Sequence, residues 1–271
     1  MRRILVSFAI FLSQTAVAMD VFDSAQPRSF KLADQLETDA TIGGYRIWQG
    51  EKKWRLYDIV RRDSQGAASP VPMGDVRLFQ TEGKNFVAAM TVSANLATGS
   101  ASDWNDEPCK RDDLLFKASL GGKFSNVNCV TLNHITTYIG NPSGRSAELF
   151  NLMKEQGVEI PPTVLQLAFT RYASNLRWLS VTLSINPELA GFDRAGEAQW
   201  GRSPWHSSQA FNDPKKKKFV EDLKIWALQF AKQMDTAFEK KGDAFASVPS
   251  WRSVIPGQQL AEPTRLKVML D

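Results

Sequence analysis

The sequence predicts an α+β fold, in which one antiparallel β-sheet packs against helices. Three observations support this class: apolar stretches come in pairs joined by short turns, the pairs follow one another along the chain, and a long amphipathic helix comes after them. Hairpins favour antiparallel pairing, because parallel neighbours need long crossover connections. We therefore expect one sheet of about six to eight strands, packed against a short helix at about 144–156 and a long C-terminal helix at about 214–241. Ser143 is a good N-cap for the short helix, and Gly157 is a good stop for it.

Turn residues separate the expected strands. Glu82-Gly83-Lys84, Gly121-Gly122 and Ser174-Asn175 each lie between two apolar stretches, and Asn186-Pro187 ends the last of them. The strands are expected at 45–49, 53–61, 75–81, 85–94, 114–120, 127–139, 164–172 and 176–185. Simple alternation in the second strand places Trp54, Leu56, Asp58 and Val60 on one face of the sheet and Arg55, Tyr57, Ile59 and Arg61 on the other.

The long helix has a clear beginning and end. Asp213 is a favourable N-cap, Pro214 suits the first helical position, and Gly242 marks the end. Apolar residues at helical spacing form one stripe that would pack on the sheet. The stripe consists of Phe219, Leu223, Trp226, Phe230, Met234 and Ala237. Ile225 and Leu228 fall off this stripe, which predicts a contact on a second side of the helix.

The N-terminus has the pattern of a cleavable secretory signal peptide. Arg2-Arg3 precede an apolar run at 4–12, and the small residues Ala16-Val17-Ala18 follow it. A retained membrane anchor is the alternative, but a spanning helix needs about 20 apolar residues. We therefore expect a signal peptide at 1–18, cleaved near Ala18, and a single α+β domain at 19–271 that is not an integral membrane protein after cleavage. The C-terminal tail is irregular, and Trp251 and Ile255 are expected to dock it.

The chain contains two cysteines, Cys109 and Cys129. In an oxidising compartment an even count of two predicts one disulfide. The alternative is a redox pair, but such pairs usually have C-x-x-C spacing. The cysteines thus agree with export to the periplasm or to the medium.

Charge and motifs exclude several classes of function. The chain has 33 basic and 29 acidic residues, and two of the basic ones leave with the signal peptide, so the mature chain has no global nucleic-acid footprint. There is no zinc-binding His motif, no G-x-S-x-G, no S-x-x-K and neither of the common nucleotide-binding glycine patterns. His134 lies mid-strand, where a hydrogen-bonded structural histidine is expected. We therefore predict no metal site and no cofactor.

A long loop at 188–212 contains the first candidate binding site. Trp200, Arg202, Trp205 and His206 combine aromatic faces with polar donors, which suits sugars, peptides or aromatic ligands. Long loops in compact domains are often functional. The structural alternative is that the two tryptophans fold back and cover the core. A Ser–His pair at His206 is conceivable chemistry, although neighbours in sequence seldom have the required geometry.

The second candidate site is a cluster of four lysines in the first turn of the long helix. Lys215, Lys216, Lys217 and Lys218 lie where the helix dipole is already positive, so they cost stability there. Cations beside helix N–H groups make a natural anion site. The alternative is a solvated, solubilising face, offset by neighbouring acidic residues.

Together these patterns favour binding over catalysis. We expect a non-catalytic protein of the periplasm or the extracellular medium that binds a ligand or an envelope partner. The lysine cluster favours an anionic envelope component, lipid or polysaccharide, and an envelope protein is the other candidate partner. The alternative function is a secreted hydrolase with an acid-based active site that no motif identifies.

Overall fold

The computed structural model describes residues 20–22, 40–48, 50, 54–63, 71–97, 107–121, 126–137, 150–151, 153–173, 177–196, 199–239 and 248–255. The expected signal peptide, the candidate N-cap Ser143 and the end of the C-terminal tail lie outside these residues.

Nine strands form two antiparallel sheets in the described chain. The strands are β1 (Thr41–Ile42), β2 (Tyr45–Arg46), β3 (Arg55–Asp63), β4 (Pro72–Glu82), β5 (Asn85–Asn95), β6 (Phe116–Ser119), β7 (Asn126–Thr136), β8 (Thr163–Ala173) and β9 (Arg177–Ile185). Strands β1 and β2 pair with each other, and the other seven form one sheet in the order β3-β4-β5-β9-β8-β7-β6. Two meanders, β3-β4-β5 and β6-β7-β8-β9, are joined where β5 pairs with β9. At the β4–β5 turn Gly83 has a φ of 60°, a left-handed conformation that favours glycine.

The helices are α1 (Glu107–Lys110), α2 (described at 150–151 and 153–155), α3 (Ser207–Ala210) and α4 (Pro214–Phe238). The side chain of Asp213 caps α4, as expected, by accepting from the backbone N–H groups of Lys215 and Lys216. Every residue of the expected apolar stripe is buried. The expected second-side contact is wrong for Ile225, which is 58% exposed, whereas Leu228 is partly buried and packs against the main core. The α+β prediction is confirmed.

The two faces of the large sheet differ in chemistry. The first face is apolar and packs against α4, where each fully buried aliphatic or aromatic side chain contributes about 1.5–3 kcal/mol. Its residues include Val76, Leu78, Met90, Val92, Leu167, Phe169, Val181 and Leu183. Because side chains alternate along a strand, the residues between these point to the opposite face. That opposite face, here called the polar face, contains Asp75, Arg77, Thr91, Ser93, Gln166, Thr182 and Ser184.

A β-bulge changes the expected alternation of β3. Leu56 pairs with Leu78, but the next pair is Asp58 with Arg77, so Tyr57 is the extra residue of the bulge. The prediction that Leu56 and Asp58 share a face is therefore wrong. The bulge keeps Leu56 on the apolar face and moves Asp58 to the polar face.

A disulfide joins α1 to the sheet. Cys109 and Cys129 are bonded, with their Cα atoms 5.9 Å apart, as the cysteine count predicts. Closing a chain of 20 residues restrains the unfolded state by roughly 3 kcal/mol in the chain-entropy model. None of the helices in the described part of the chain is both long and apolar enough to span a membrane.

Arginines anchor the C-terminal end of α4 to β8 and β9. The Arg171 guanidinium bonds Asp235 at 2.5 Å and lies 4.6 Å from the centre of the Phe238 ring. Arg177 covers the same ring at 4.1 Å and donates to the Phe238 carbonyl oxygen. Phe238 also stacks on Tyr45, so this end of the helix is held by ring contacts and charged hydrogen bonds together. The tail residues Trp251 and Ile255 are buried against the same helical layer.

Candidate functional site

The polar face contains a cavity of about 270 Å³. It lies over the centre of the sheet, across β4, β5, β9 and β8, with Arg62 of β3 at one side. Among the described residues, its lining consists of Arg62, Asp75, Arg77, Ala89, Thr91, Ser93, Phe150, Gln166, Thr182 and Ser184. Binding sites for small molecules typically have volumes of about 300–1,000 Å³, so this cavity suits a ligand at the small end of that range.

Two buried charged residues form the β4 side of the cavity. Asp75 is 2% exposed and Arg77 is 4% exposed. Arg62 donates to both carboxylate oxygens of Asp75, from Nε at 3.0 Å and from Nη2 at 3.2 Å. Arg77 donates from Nη1 to Oδ2 of Asp58 at 3.4 Å, a contact that the β3 bulge makes possible. Charged side chains are almost never this buried unless they are paired, and these pairs meet that requirement.

Hydroxyl groups form the floor of the cavity. Thr91 of β5 and Thr182 of β9 lie directly opposite each other, and Ser184 lies two residues further along β9. Gln166 of β8 pairs with Ser184 across the next strand boundary, and its Nε2 approaches the Ser184 hydroxyl at 3.5 Å. Each hydroxyl can donate one hydrogen bond and accept others, so this floor can adapt to either kind of polar group.

Helix α2 covers one end of the polar face. Phe150 and Met153 pack on Phe79, Phe86 and Ala89, and together with Ile160 and Val164 they form a second, smaller core. Phe150 meets Phe86 edge to face at 5.8 Å and is also part of the cavity wall. An antiparallel sheet often leaves one face in water. Here α2 walls one end of that face, beside a half-open polar cavity.

The two tryptophans of the candidate loop pack against other residues of the domain. Trp205 is 1% exposed and packs on Phe192 and Phe219. Trp200 lies on β7, where its ring stacks on His134 with the ring centres 4.9 Å apart. These contacts fit the structural alternative, in which the loop covers the core. The ligand-binding prediction for this loop stays a prediction.

His134 and Trp200 form a reciprocal pair. The His134 Nε2 lies 3.0 Å from the Trp200 carbonyl oxygen, and the Trp200 Nε1 donates to the His134 carbonyl oxygen at 3.2 Å. Because a carbonyl only accepts, Nε2 has to carry the proton, and Nδ1 has no hydrogen-bond partner among the described residues. Burial, together with the neighbouring His206, lowers the pKa of His134. His134 is thus the structural histidine that the sequence predicts.

The other loop residues, Arg202 and His206, lie nearer to solvent. Arg202 is exposed, whereas His206 is half-buried and caps α3. Its Nδ1 lies 2.7 Å from the Ser208 hydroxyl and 3.3 Å from the Ser208 backbone nitrogen. The hydrogen bond from Arg111 is the largest cause of the lowered pKa of Asp113, and the neighbouring His206 adds to the same shift. Neither His206 nor Ser208 lines the polar-face cavity.

Some of the four lysines at the start of α4 already make hydrogen bonds within the chain. Asp213 already accepts from the N–H groups of Lys215 and Lys216. Lys216 also donates to the Pro204 carbonyl oxygen at 3.3 Å, and Lys218 bonds Asp222 at 2.9 Å. The capped helix end has fewer N–H groups to offer than the sequence argument assumed. Anion binding by this cluster also stays a prediction.

A second cavity, of about 610 Å³, lies between β1–β2 and the end of α4. It is larger, but its polar side chains hold neighbouring elements together. Arg177 bonds Glu239 at 3.4 Å, and Asn95 bonds both the Ala97 carbonyl oxygen and the Trp178 backbone nitrogen. We therefore regard the cavity of the polar face as the stronger candidate. Within the described residues, no group of three or more His, Cys, Asp or Glu side chains could hold a metal ion.

The candidate sites predicted from the sequence include no residue of the polar-face cavity. A signal was present in two strands, because polar residues occupy alternate positions there: Thr91 and Ser93 in β5, and Thr182 and Ser184 in β9. Strict alternation of this kind indicates a strand with one apolar and one polar face. It does not show which polar faces meet, and that information comes from the strand order.

Comparisons with known proteins add no further information. No protein-family model matches the chain, and no match is found among curated proteins or among solved structures. The chemistry of the cavity is therefore the main evidence on function.

Proposed function

We propose that this chain is an exported, non-catalytic binding protein that holds a small molecule in the cavity of its polar face. The observation that carries the proposal is a built polar site of about 270 Å³. Each of its two ion pairs has one buried member, Asp75 or Arg77, and its floor presents hydroxyl groups from adjacent strands. Binding sites combine a concave shape with a few well-placed polar groups, and this half-open cavity has both.

The burial of Asp75 and Arg77 argues against a merely solvated sheet face. A surface that serves only solubility keeps its charges in water, where they cost nothing. Asp75 is instead 2% exposed, and burying a paired charge in this way often stabilises a protein less than an apolar pair would. Polar groups retained at such a cost fit a functional site.

Export is the second part of the proposal. It is supported by the signal-peptide pattern at 1–18 and by the Cys109–Cys129 disulfide. The periplasm or the extracellular medium is the compartment that both features suit.

Ligand-observed NMR tests the binding proposal with a defined panel. The panel contains amino acids, short carboxylic acids, polyamines, nucleosides and neutral sugars. We expect at least one class to bind the mature protein and to lose its signal when Thr182→Phe fills the cavity. Thr170→Val is the matched control, because Thr170 lies on the same face of β8 but does not line the cavity.

The result that contradicts the proposal is a panel in which no member binds in a manner sensitive to Thr182→Phe. If that variant fails to fold, as judged by its urea unfolding curve, Thr182→Val replaces it, because this change removes the hydroxyl and keeps the shape. Binding that is unchanged in Thr182→Val and in Ser184→Ala would equally contradict the proposal.

A secreted hydrolase is the second candidate function, and one observation favours a serine nucleophile in place of the acid-based site that the sequence analysis named. The 2.7 Å contact between the Ser208 hydroxyl and His206 Nδ1 has the length of a nucleophile–base hydrogen bond. The same nitrogen also accepts from the Ser208 backbone, which is the pattern of a helix cap. Labelling with a fluorophosphonate probe, compared between wild type and Ser208→Ala, separates the two. Labelling that depends on Ser208 would establish the hydrolase, and its absence would leave the cap as the role of His206.

A further inference from the structure

Three charged residues in the described part of the chain line the polar-face cavity: Arg62, Asp75 and Arg77. Arg62 is paired with Asp75, and Arg77 is paired with Asp58. Asp58 does not line the cavity, but with it these four described groups sum to zero. An ionic ligand would introduce an additional charge into a site where Asp75 and Arg77 are both below 5% exposure. Burying a charge without a dedicated counter-charge is unfavourable, so the pairing favours an uncharged ligand.

The floor of the cavity is rich in groups that both donate and accept hydrogen bonds. Thr91 and Thr182 are opposite one another on adjacent strands, where Cβ atoms are about 4.5–5.5 Å apart. Ser93 and Ser184 continue the two strands, and Gln166 adds an amide. A ligand with several neighbouring hydroxyl groups offers the same dual capacity, and each of its hydroxyls can find a partner here.

The two ends of the cavity differ in polarity. Phe150 and Ala89 supply an apolar wall at the α2 end. Arg77, at the other side, presents a planar polar group beside the hydroxyl floor. A ring that carries hydroxyl groups at its edge and C–H groups on its face matches this combination of an aromatic wall and fixed polar groups. The volume of about 270 Å³ limits the ligand to a single ring of this kind.

We propose that the polar-face cavity binds a small uncharged polyol, of the size and chemistry of a monosaccharide. The inference rests on the proposed function, because it names the ligand class of the same site. It depends on three features of that site: paired charges, a hydroxyl floor and one aromatic wall.

Calorimetric titration with chemically matched probes tests the ligand class. The neutral probes are glucose, galactose, N-acetylglucosamine and myo-inositol, glucuronate is the anionic probe, and glucosamine at mildly acidic pH is the cationic probe. We expect at least one neutral probe to bind and the charged analogues to bind at least about tenfold more weakly. Thr182→Val and Thr91→Val should each weaken the neutral probe roughly three- to tenfold, because each leaves a ligand hydroxyl unpaired. Thr170→Val should leave the affinity unchanged.

Two results overturn this inference. One is binding of glucuronate or glucosamine as tight as that of glucose or tighter. The other is the absence of binding by all four neutral probes. Either result leaves the proposed function standing if an amino acid, carboxylic acid, polyamine or nucleoside of the NMR panel binds in a manner sensitive to Thr182→Phe. If no panel member does, the proposed function fails as well, so the two failures are distinguishable.

Discussion

Replacing Arg171 by methionine should detach the C-terminal end of α4 from the sheet. The Arg171 side chain is 10% exposed, and its Nη1 donates to the carbonyl oxygens of Tyr172 at 2.9 Å and Val127 at 3.3 Å. It also donates to the Asn126 side chain and to Asp235. Methionine keeps the apolar stem but removes all of these donors, so buried acceptors lose their partners.

The magnitude follows from the exposure of each partner. Asp235 is 47% exposed and can be rehydrated, so the loss of its ion pair with Arg171 lowers the free energy of unfolding only slightly. The buried carbonyl oxygens, together with the contact over Phe238, account for most of the effect. We expect the free energy of unfolding to fall by about 2–4 kcal/mol, measured by urea denaturation of the mature, oxidised protein.

The controls separate this anchor from a general charge effect. Arg55→Met changes an exposed arginine on β3 and should alter the free energy of unfolding by less than about 0.5 kcal/mol. Asp235→Asn should cost less than about 1 kcal/mol, because that carboxylate is half exposed. A loss for Arg171→Met no larger than that of Arg55→Met would refute the reasoning about the anchor.

Three further predictions concern other parts of the molecule. Reducing the disulfide, or changing Cys109 and Cys129 together to serine, should lower the free energy of unfolding by roughly 3 kcal/mol, and an unchanged urea midpoint would contradict this. Because the pKa of His134 is lower in the folded protein, the unfolded chain binds the proton first, so stability should fall as the pH drops below about 6.5, by about 1.4 kcal/mol for each unit of difference in pKa. His134→Phe should flatten that dependence, and equal slopes in both proteins would contradict the assignment. If the lysines at 215–218 form an anion site, changing all four to glutamate should abolish retention on heparin, whereas unchanged retention would exclude the site.

Much of the fold could be predicted from local sequence signals. The turns with Gly83 and Asn186, the N-cap Asp213 and the apolar stripe of α4 each depend on residues close together in the chain. Such signals locate strands and helices and their pairing into hairpins. They led to a sheet of about the right size with the long helix packed on one face.

The candidate site could not be predicted in the same way, because it depends on pairing between distant strands. Asp58 reaches Arg77 only because of the bulge at Tyr57, and a strand with simple alternation would place Asp58 on the opposite face. Likewise, Thr91 and Thr182 become neighbours only where the two meanders meet. The aromatic residues of the loop from Trp200 to His206 favour a binding site in the sequence. In the structure, however, Trp205 is buried against the core.

Chemical-shift mapping tests directly whether a small ligand binds in the polar-face cavity. The mature protein is labelled with ¹⁵N and titrated with glucose, N-acetylglucosamine and the other members of the NMR panel. We expect a binding probe to shift the backbone amides of Thr91, Gln166, Thr182 and Ser184, and Thr182→Val to weaken those shifts. Shifts confined to the loop at 199–212 or to the lysines at 215–218, with the amides of the polar face unchanged, would contradict this expectation.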